Sequence, residues 1–251
     1  MTRTLLIPAA GRGTRLGSTL PKVLTPVCGR SMLEWILDRQ RAYCSRIVLV
    51  VHPADRAAIE AGVRRLDDAI ACAEQPAPSG MLDAILAGRA LALDAAPDRI
   101  WITWCDQVLI SAATAAHLAA VESGDPGAAA VFPTSRQRPP YIHFDRDADG
   151  TLSGVRQRRE GDPMPEIGES DAGLFSLSRD ALAIELPSFA TMAARGRGTA
   201  ERNFLPFLPW LAARAPVLTF DVPAIESLGV NTPEDLAQVE RRLIGLGAGR
   251  P

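Results

Sequence analysis

The sequence predicts an α/β protein: a doubly wound, mostly parallel Rossmann-like sheet carrying an insertion that contains a β-hairpin. Three observations predict it. Short apolar, β-branched runs alternate with helix-patterned stretches between residues 5 and 104, the pattern of βαβ units. A glycine-rich turn follows the first run immediately. Gly11, Gln75 and Asp106 each fall just after a strand candidate, and ligands of parallel sheets sit beyond the carboxyl ends of the strands.

Taken in order, Leu5 to Ile7 reads as a buried strand that breaks at Pro8 into Ala9 and Ala10. A turn with Gly11, Gly13 and Gly17 follows, carrying Arg12, Thr14 and Arg15, and Lys22 stands just after the rigid bend at Pro21. Ser31 and Glu34 have the spacing of a capping box, with Leu33, Ile36 and Leu37 as the apolar stripe behind it. Ile47 to Val51 is β-branched enough for a strand buried on both faces. Residues 54–68 look helical, and Ala71 to Glu74 make a short strand ending at Gln75. Pro76, Pro78 and Gly80 form a loop, Met81 to Leu93 a helix, and Ile100 to Trp104 a strand closing on Cys105 and Asp106.

The texture changes after about residue 128. Ala128 to Phe132 is a strand followed by a polar break over 136–140. Residues 141–145 and 151–156 flank a turn at 147–150, which reads as a hairpin. Leu174 to Leu177 is another strand, and residues 195–203, with Gly196 and Gly198 among arginines, read as a mobile basic loop. Val217 to Val222 is a late strand. Thr232 and Pro233 open a helix with Leu236, Val239, Leu243 and Leu246 on its inner face. The expectation is one domain over 1–251, with 1–128 as a nucleotide-binding half and 129–251 as an acceptor-binding half with the C-terminal helix.

Composition removes several classes of function. The chain has 251 residues, 47% hydrophobic and 22% charged, with a net charge of -2, so no global field favours nucleic acid or an anionic membrane. Cys28, Cys44, Cys72 and Cys105 are scattered without a C-x-x-C pair, which argues against zinc and against a disulfide framework. No apolar run approaches the roughly 18 residues of a membrane span, and the first residues do not pair a charged head with a long apolar stretch; a cytoplasmic protein is expected, and a homo-oligomer is compatible with these residues.

The glycine turn is a phosphate cradle by its chemistry. Without Cβ atoms, backbone N–H groups approach phosphate oxygens closely, and Arg15 and Lys22 add full positive charge. The spacing is G-x-G-x-x-x-G, and the second strand ends in Val50-Val51-His52 with no acid for a ribose, so dinucleotide binding is excluded. No glycine-lysine-serine/threonine follows, so a P-loop is excluded too. Asp106 at a strand end is either a helix cap or a metal ligand, and Asn231 in Gly229-Val230-Asn231 either a turn residue or its partner. Together they would offer oxygens to Mg²⁺ (magnesium), with phosphate and water completing the shell. Gln75 either reads a base edge through its amide or is a solvated loop residue. His52, His117 and His143 stand isolated, Trp101 and Trp104 read as core and cleft wall, and the arginines of 156–159 as a solvated face.

With these residues in view, the stretch 8–26, G-R-G-T-R-L-G then L-P-K-V-L-T-P, resembles the signature of nucleotidyltransferases that couple an NTP to a sugar 1-phosphate. It is most similar to the uridylyltransferase domain of N-acetylglucosamine-1-phosphate uridylyltransferase, and the likeness continues through Ala73-Glu74-Gln75, Asp106, the hairpin, Asp171-Ala172-Gly173, Glu201 and Gly229-Val230-Asn231. The resemblance implies a glycosyltransferase-A-like nucleotidyltransferase fold. It implies that Pro8, Ala9, Ala10, Gly11, Gly13 and Thr14 bind nucleotide with Arg15 on the triphosphate, and that Lys22 meets the α-phosphate. Gln75 and Gly80 would contact the base, Asp106 and Asn231 would hold Mg²⁺, and Gln157, Asp171, Gly173 and Glu201 would line the acceptor end. The chain departs from the family at Cys105, where a glycine is usual, at Met81 for threonine, at Gln157 for glutamate and at Asp171 for asparagine.

The expected activity is therefore transfer of a nucleoside monophosphate from an NTP, UTP preferred, to a sugar 1-phosphate or similar phosphorylated acceptor, with release of pyrophosphate. A cytidylyltransferase acting on a phosphonate, polyol phosphate or phosphocholine-like acceptor is the enzymatic rival. A non-catalytic nucleotide-binding regulator of the same fold is the rival from another class.

Overall fold

A computed structural model describes residues 1–11, 13–63 and 70–247, with the side chain of Thr14 outside that description. Arg12 and the end of the second predicted helix, 64–68, lie outside the described residues. The strands are β1 (Arg3–Pro8), β2 (Pro26–Val27), β3 (Arg30–Ser31), β4 (Arg46–Val51), β5 (Ile70–Glu74), β6 (Arg99–Thr103), β7 (Ala130–Gln137), β8 (Ile142–Arg146), β9 (Leu152–Gln157), β10 (Gly168–Asp171), β11 (Leu174–Ser178) and β12 (Val217–Asp221). The helices are α1 (Met32–Gln40), α2 (Arg56–Val63), α3 (Met81–Leu93), α4 (Ala112–Gly124), α5 (Leu186–Ala190), α6 (Phe207–Ala212) and α7 (Pro233–Gly245).

The main sheet is mixed with a parallel centre. β6, β1, β4 and β5 lie side by side and parallel, which directs all four carboxyl ends to one edge. β11 joins β6 antiparallel and continues to β7, which β12 joins in parallel. Alternation along the central strands sends Leu5 and Ile7 to one face and Leu6 to the other, and both faces are buried. On one face the core takes in Ile85 of α3, Phe189 of α5 and Phe207 of α6; on the other it takes in Leu33 and Ile36 of α1, Ile59 of α2 and Leu118 of α4. This is the doubly wound arrangement the alternating pattern predicts.

Local chemistry fixes the ends of several elements. The Ser31–Glu34 capping box forms at α1, and Thr232 with Asp235 forms a second at α7. Near Pro187, residues Ala181–Glu185 form a π-helical turn. Pro187 has no N–H to give the Ala183 carbonyl, and Arg89 of α3 donates to the Leu182 and Ala183 carbonyls instead.

Four expectations need correction. The polar break over 136–140 begins too early, because Arg136 and Gln137 pair with Glu169 and Gly168 of β10, a strand with no apolar run of its own. The strand over 100–104 ends at Thr103, which leaves Trp104 in the loop. Leu246 lies past the end of α7 and is 67% exposed, so the inner face is Val239 and Leu243 with Leu236 beside them. The loop over 195–203 is not free: its backbone and side chains are bonded on both flanks. Among the described residues no helix is long and apolar enough to cross a membrane.

Candidate active site

The carboxyl edge of the parallel strands gathers the predicted residues. Pro8 closes β1, and Ala9 donates to the Val50 carbonyl at 2.7 Å, which extends the pairing with β4 by one residue past the strand. Ala9 and Ala10 are buried and Gly11 is exposed. Gly13 has φ +58, and a Cβ there would stand 3.0 Å from Lys22 Cβ. The glycine thus serves as a seat for the lysine stem as well as a flexible turn. Thr14 opens a single 3-10 turn, Thr14–Leu16, that presents Arg15.

Lys22, Asp106, Asn231 and Arg15 converge. Lys22 Nζ donates to Asp106 Oδ2 at 2.6 Å and to Asn231 Oδ1 at 3.0 Å, and Arg15 donates to the same Asn231 oxygen at 3.2 Å. The side chains of Lys22 and Asp106 are only 11% and 14% exposed, so removing either would strand a nearly dry charge. Burial alone would pull the Lys22 ammonium down, but the charge and hydrogen bond of Asp106 prevail and raise it above its ordinary value. Lys22 is therefore charged at neutral pH. Asp106 is not a helix cap; its carboxylate faces Lys22, and its carbonyl accepts from Val230 N at 3.2 Å.

Two further residues make that geometry: Gly229, which the sequence offers only as part of the Gly229-Val230-Asn231 likeness, and Asp235, which it gives no role. A Cβ at Gly229 would lie 3.2 Å from Asp106 Cγ and 3.3 Å from Asn231 Nδ2, so the glycine backs the pair. Asp235 accepts from the backbone N–H of Asn231 at 3.0 Å while closing the α7 capping box. The signal for Asp235 was present in its three-residue spacing from Thr232.

Two oxygens of Asp106 and Asn231 thus already face one cationic centre, the Lys22 ammonium. Such a hard oxygen pair fits Mg²⁺, which binds through one or two protein oxygens and takes the rest from phosphate and water. Among the described residues no group of three or more His, Cys, Asp or Glu could cage a metal unaided. Cys105 beside them is inert: burial pushes its thiol up to about 12.

Gln75 and Gly80 stand after β5, three inter-strand steps from Asp106 after β6, roughly 14 Å at the usual spacing. Gln75 is buried, not solvated, and its amide nitrogen donates to Ser79 Oγ at 3.3 Å and the Gly80 carbonyl at 3.1 Å. Gly80 has φ +115, and a Cβ there would overlap the Arg202 carbonyl.

β10 and β11 meet at a kink where Gly173 has φ +77 and a Cβ would overlap Gln107 Cγ. Asp171 is buried there, accepting from Gly173 N at 2.9 Å and from Trp104 Nε1 at 3.3 Å. Burial drives its carboxyl up to about 6 against those two donors. Trp104 packs on Phe175 with centroids 5.0 Å apart, as a wall, whereas Trp101 is buried in the core. Gln157 ends β9, its backbone N–H donating to Asp162 Oδ2 at 2.8 Å, and Glu201 faces Arg159 at 3.7 Å. The arginines of 156–159 form the solvated face expected, with Arg158 and Arg159 exposed, and they also have partners: Arg156 pairs with Asp145 and Arg158 donates to the Pro140 carbonyl.

Residues 5–166 match the MobA-like NTP transferase domain. The chain is similar to proteins named bifunctional protein GlmU: 32% identical over 244 residues to that of Cupriavidus necator, covering 94% of this chain and 51% of the relative. Against the one from Pelobacter propionicus it is 32% identical over 247 residues, covering 95% and 51%. The chain thus spans about half the length of the curated relatives it matches. A solved structure of CMP:2-keto-3-deoxy-manno-octonic acid synthetase complexed with CTP shares the fold, with a TM-score of 0.68 at 17% identity over 98% of this chain and 100% of that one.

Proposed function

The chain belongs to the MobA-like NTP transferase family, and from that premise we propose that it transfers a nucleoside monophosphate from an NTP to a phosphorylated acceptor, with pyrophosphate as the other product. UTP is the preferred donor and a sugar 1-phosphate the preferred acceptor, in keeping with the signature over 8–26. The observation that carries this reading is the convergence of Lys22, Arg15, Asp106 and Asn231 beside the glycine turn.

An acceptor phosphate is anionic at neutral pH and attacks the α-phosphorus without a general base, so catalysis reduces to positioning and charge neutralisation. The glycine turn would hold the triphosphate. Lys22 and Arg15 would exchange their present partners, Asp106 and Asn231, for phosphate oxygens and neutralise the charge that grows as pyrophosphate leaves. Asp106 and Asn231 would hold Mg²⁺, which when bound supplies further neutralisation of the phosphates. The Gln75 carbonyl would accept from a base N–H; uracil and cytosine both have one, which keeps a CTP-using enzyme as the second reading.

Pyrophosphate release with UTP and CTP against a panel of sugar 1-phosphates, polyol phosphates and phosphonates tests both readings. Activity with CTP alone would decide for the second. Lys22→Ala and Asp106→Ala are each expected to lose on the order of a hundredfold in turnover while the fold survives, and EDTA to abolish the rest. Near wild-type rates in either variant would sink the mechanism. Metal-dependent NTP binding with no pyrophosphate release would identify a regulator instead.

A further inference from the structure

Loop 195–203 is wound around one carboxylate. Glu160, on the 3-10 turn after β9, is 9% exposed and accepts from Gly198 N at 2.8 Å, Thr199 N at 3.2 Å, Thr199 Oγ1 at 2.7 Å and Asn203 Nδ2 at 3.1 Å. Burial would push this carboxyl up, but the Thr199 hydroxyl and the other donors hold it below its ordinary range, so it is an ionised, acceptor-only group. A Cβ at Gly196 would overlap the Glu160 carboxylate, and one at Gly198 the Arg159 carbonyl, which is why glycine stands at both.

The other flank of the loop is sewn to the turn before α3. Arg202 N donates to the Ser79 carbonyl at 2.7 Å, Leu82 N donates to the Arg202 carbonyl at 3.1 Å, and Arg202 Nε donates to Asp83 at 2.8 Å. Two more links join loop and hairpin, but both are weak. Arg197, paired with Asp162, is 75% exposed, and the Arg159–Glu201 contact is 3.7 Å long and partly solvated; exposed ion pairs contribute little. The buried Glu160 cluster is the joint that decides.

We propose that Glu160 is a positioning residue that holds loop 195–203 as a bridge between the wall carrying Gln157 and the turn carrying Gln75 and Gly80. The two ends of the substrate pocket then set each other's shape, and a nucleotide seated on the turn orders the acceptor wall. The assignment of those ends rests on the function proposed above; the bridge itself does not.

Amide hydrogen exchange on the ligand-free protein and pyrophosphate-release kinetics on Glu160→Gln together test it. The variant keeps the side-chain volume and turns an amide NH₂ on the loop donors. Exchange at Gly198 and Thr199 is expected to quicken about tenfold or more, and exchange at Leu82 and Arg202 to quicken with it. In the kinetics the KM for the acceptor is expected to rise about tenfold, with kcat within about twofold of wild type. Faster exchange confined to Gly198 and Thr199 would overturn the bridge, and so would a fall in kcat at unchanged KM. If wild type releases no pyrophosphate with any substrate pair, the enzymatic reading fails and the exchange result alone decides the bridge. Should Glu160→Gln not fold, Thr199→Val removes one donor and is expected to show the same paired exchange in smaller measure; its absence overturns the proposal.

Discussion

Asp171 shows how a single side chain acquires properties its type does not predict. The family likeness names Asp171 but gives nothing of its ionisation; the kink at Gly173 buries it under Trp104 and raises its carboxyl from 3.8 to about 6. The folded state therefore binds the proton more tightly than the unfolded chain. This contribution to stability is fully present below about pH 4 and is lost as pH rises through about 6, a difference on the order of 3 kcal/mol. Asp171→Asn keeps an oxygen for both donors and carries no charge. It is expected to be more stable than wild type at pH 7 and to flatten the pH dependence between about 4 and 6, measured by urea unfolding across that range. Parallel curves for the two proteins would refute the assignment. Lys22 was legible as a cation beside the glycine turn and Asp106 as a carboxylate at a strand end. That they pair with each other was not, because 84 positions separate them.

At the scale of elements, the start of α7 links helix stability to the site. Asp235 accepts from Thr232 N at 2.9 Å and from Asn231 N at 3.0 Å, so one carboxylate caps the helix and fixes the residue that meets Lys22. Asp235→Ala is expected to cost about 1 kcal/mol of stability, as lost caps do. It should also raise the KM for NTP, because Asn231 loses its anchor. A loss of stability in thermal melts with nucleotide kinetics unchanged would show the cap to be independent of the site. The α1 capping box and the Thr232 cap of α7 were legible, since capping is chemistry within four residues; the part Asp235 plays in the second box was not read. The strand β10 and the π-helical turn were not. The first is held by pairing with β7 and the second relies on a guanidinium from α3, and neither partner is local.

Across the whole molecule, the end of the sheet remote from the glycine turn is tied by a buried charge cluster. Glu122 of α4 is fully buried and accepts from Arg3 of β1, from Trp101 Nε1 at 3.1 Å and from Ser176 of β11, with Arg99 of β6 at 3.4 Å. Glu122→Ala leaves two guanidinium groups without their counter-charge and is expected to cost about 3–5 kcal/mol in urea unfolding. Turnover per folded molecule should stay unchanged, because the cluster touches none of the residues that converge on Lys22; a drop in kcat for the folded fraction would contradict that separation. The sequence by itself determined the alternation of strands and helices, the glycine turn with its basic residues, and the exclusion of dinucleotide and P-loop chemistry. All of these are set by short-range pattern: hydrophobic period, glycine spacing and caps. Only the tertiary structure decided that Lys22 bridges Asp106 and Asn231, that Gln75 has committed its amide nitrogen, and that loop 195–203 is bound around Glu160. The reason is physical. Such contacts join residues far apart in the chain, and burial sets both their strength and the ionisation of the groups that make them.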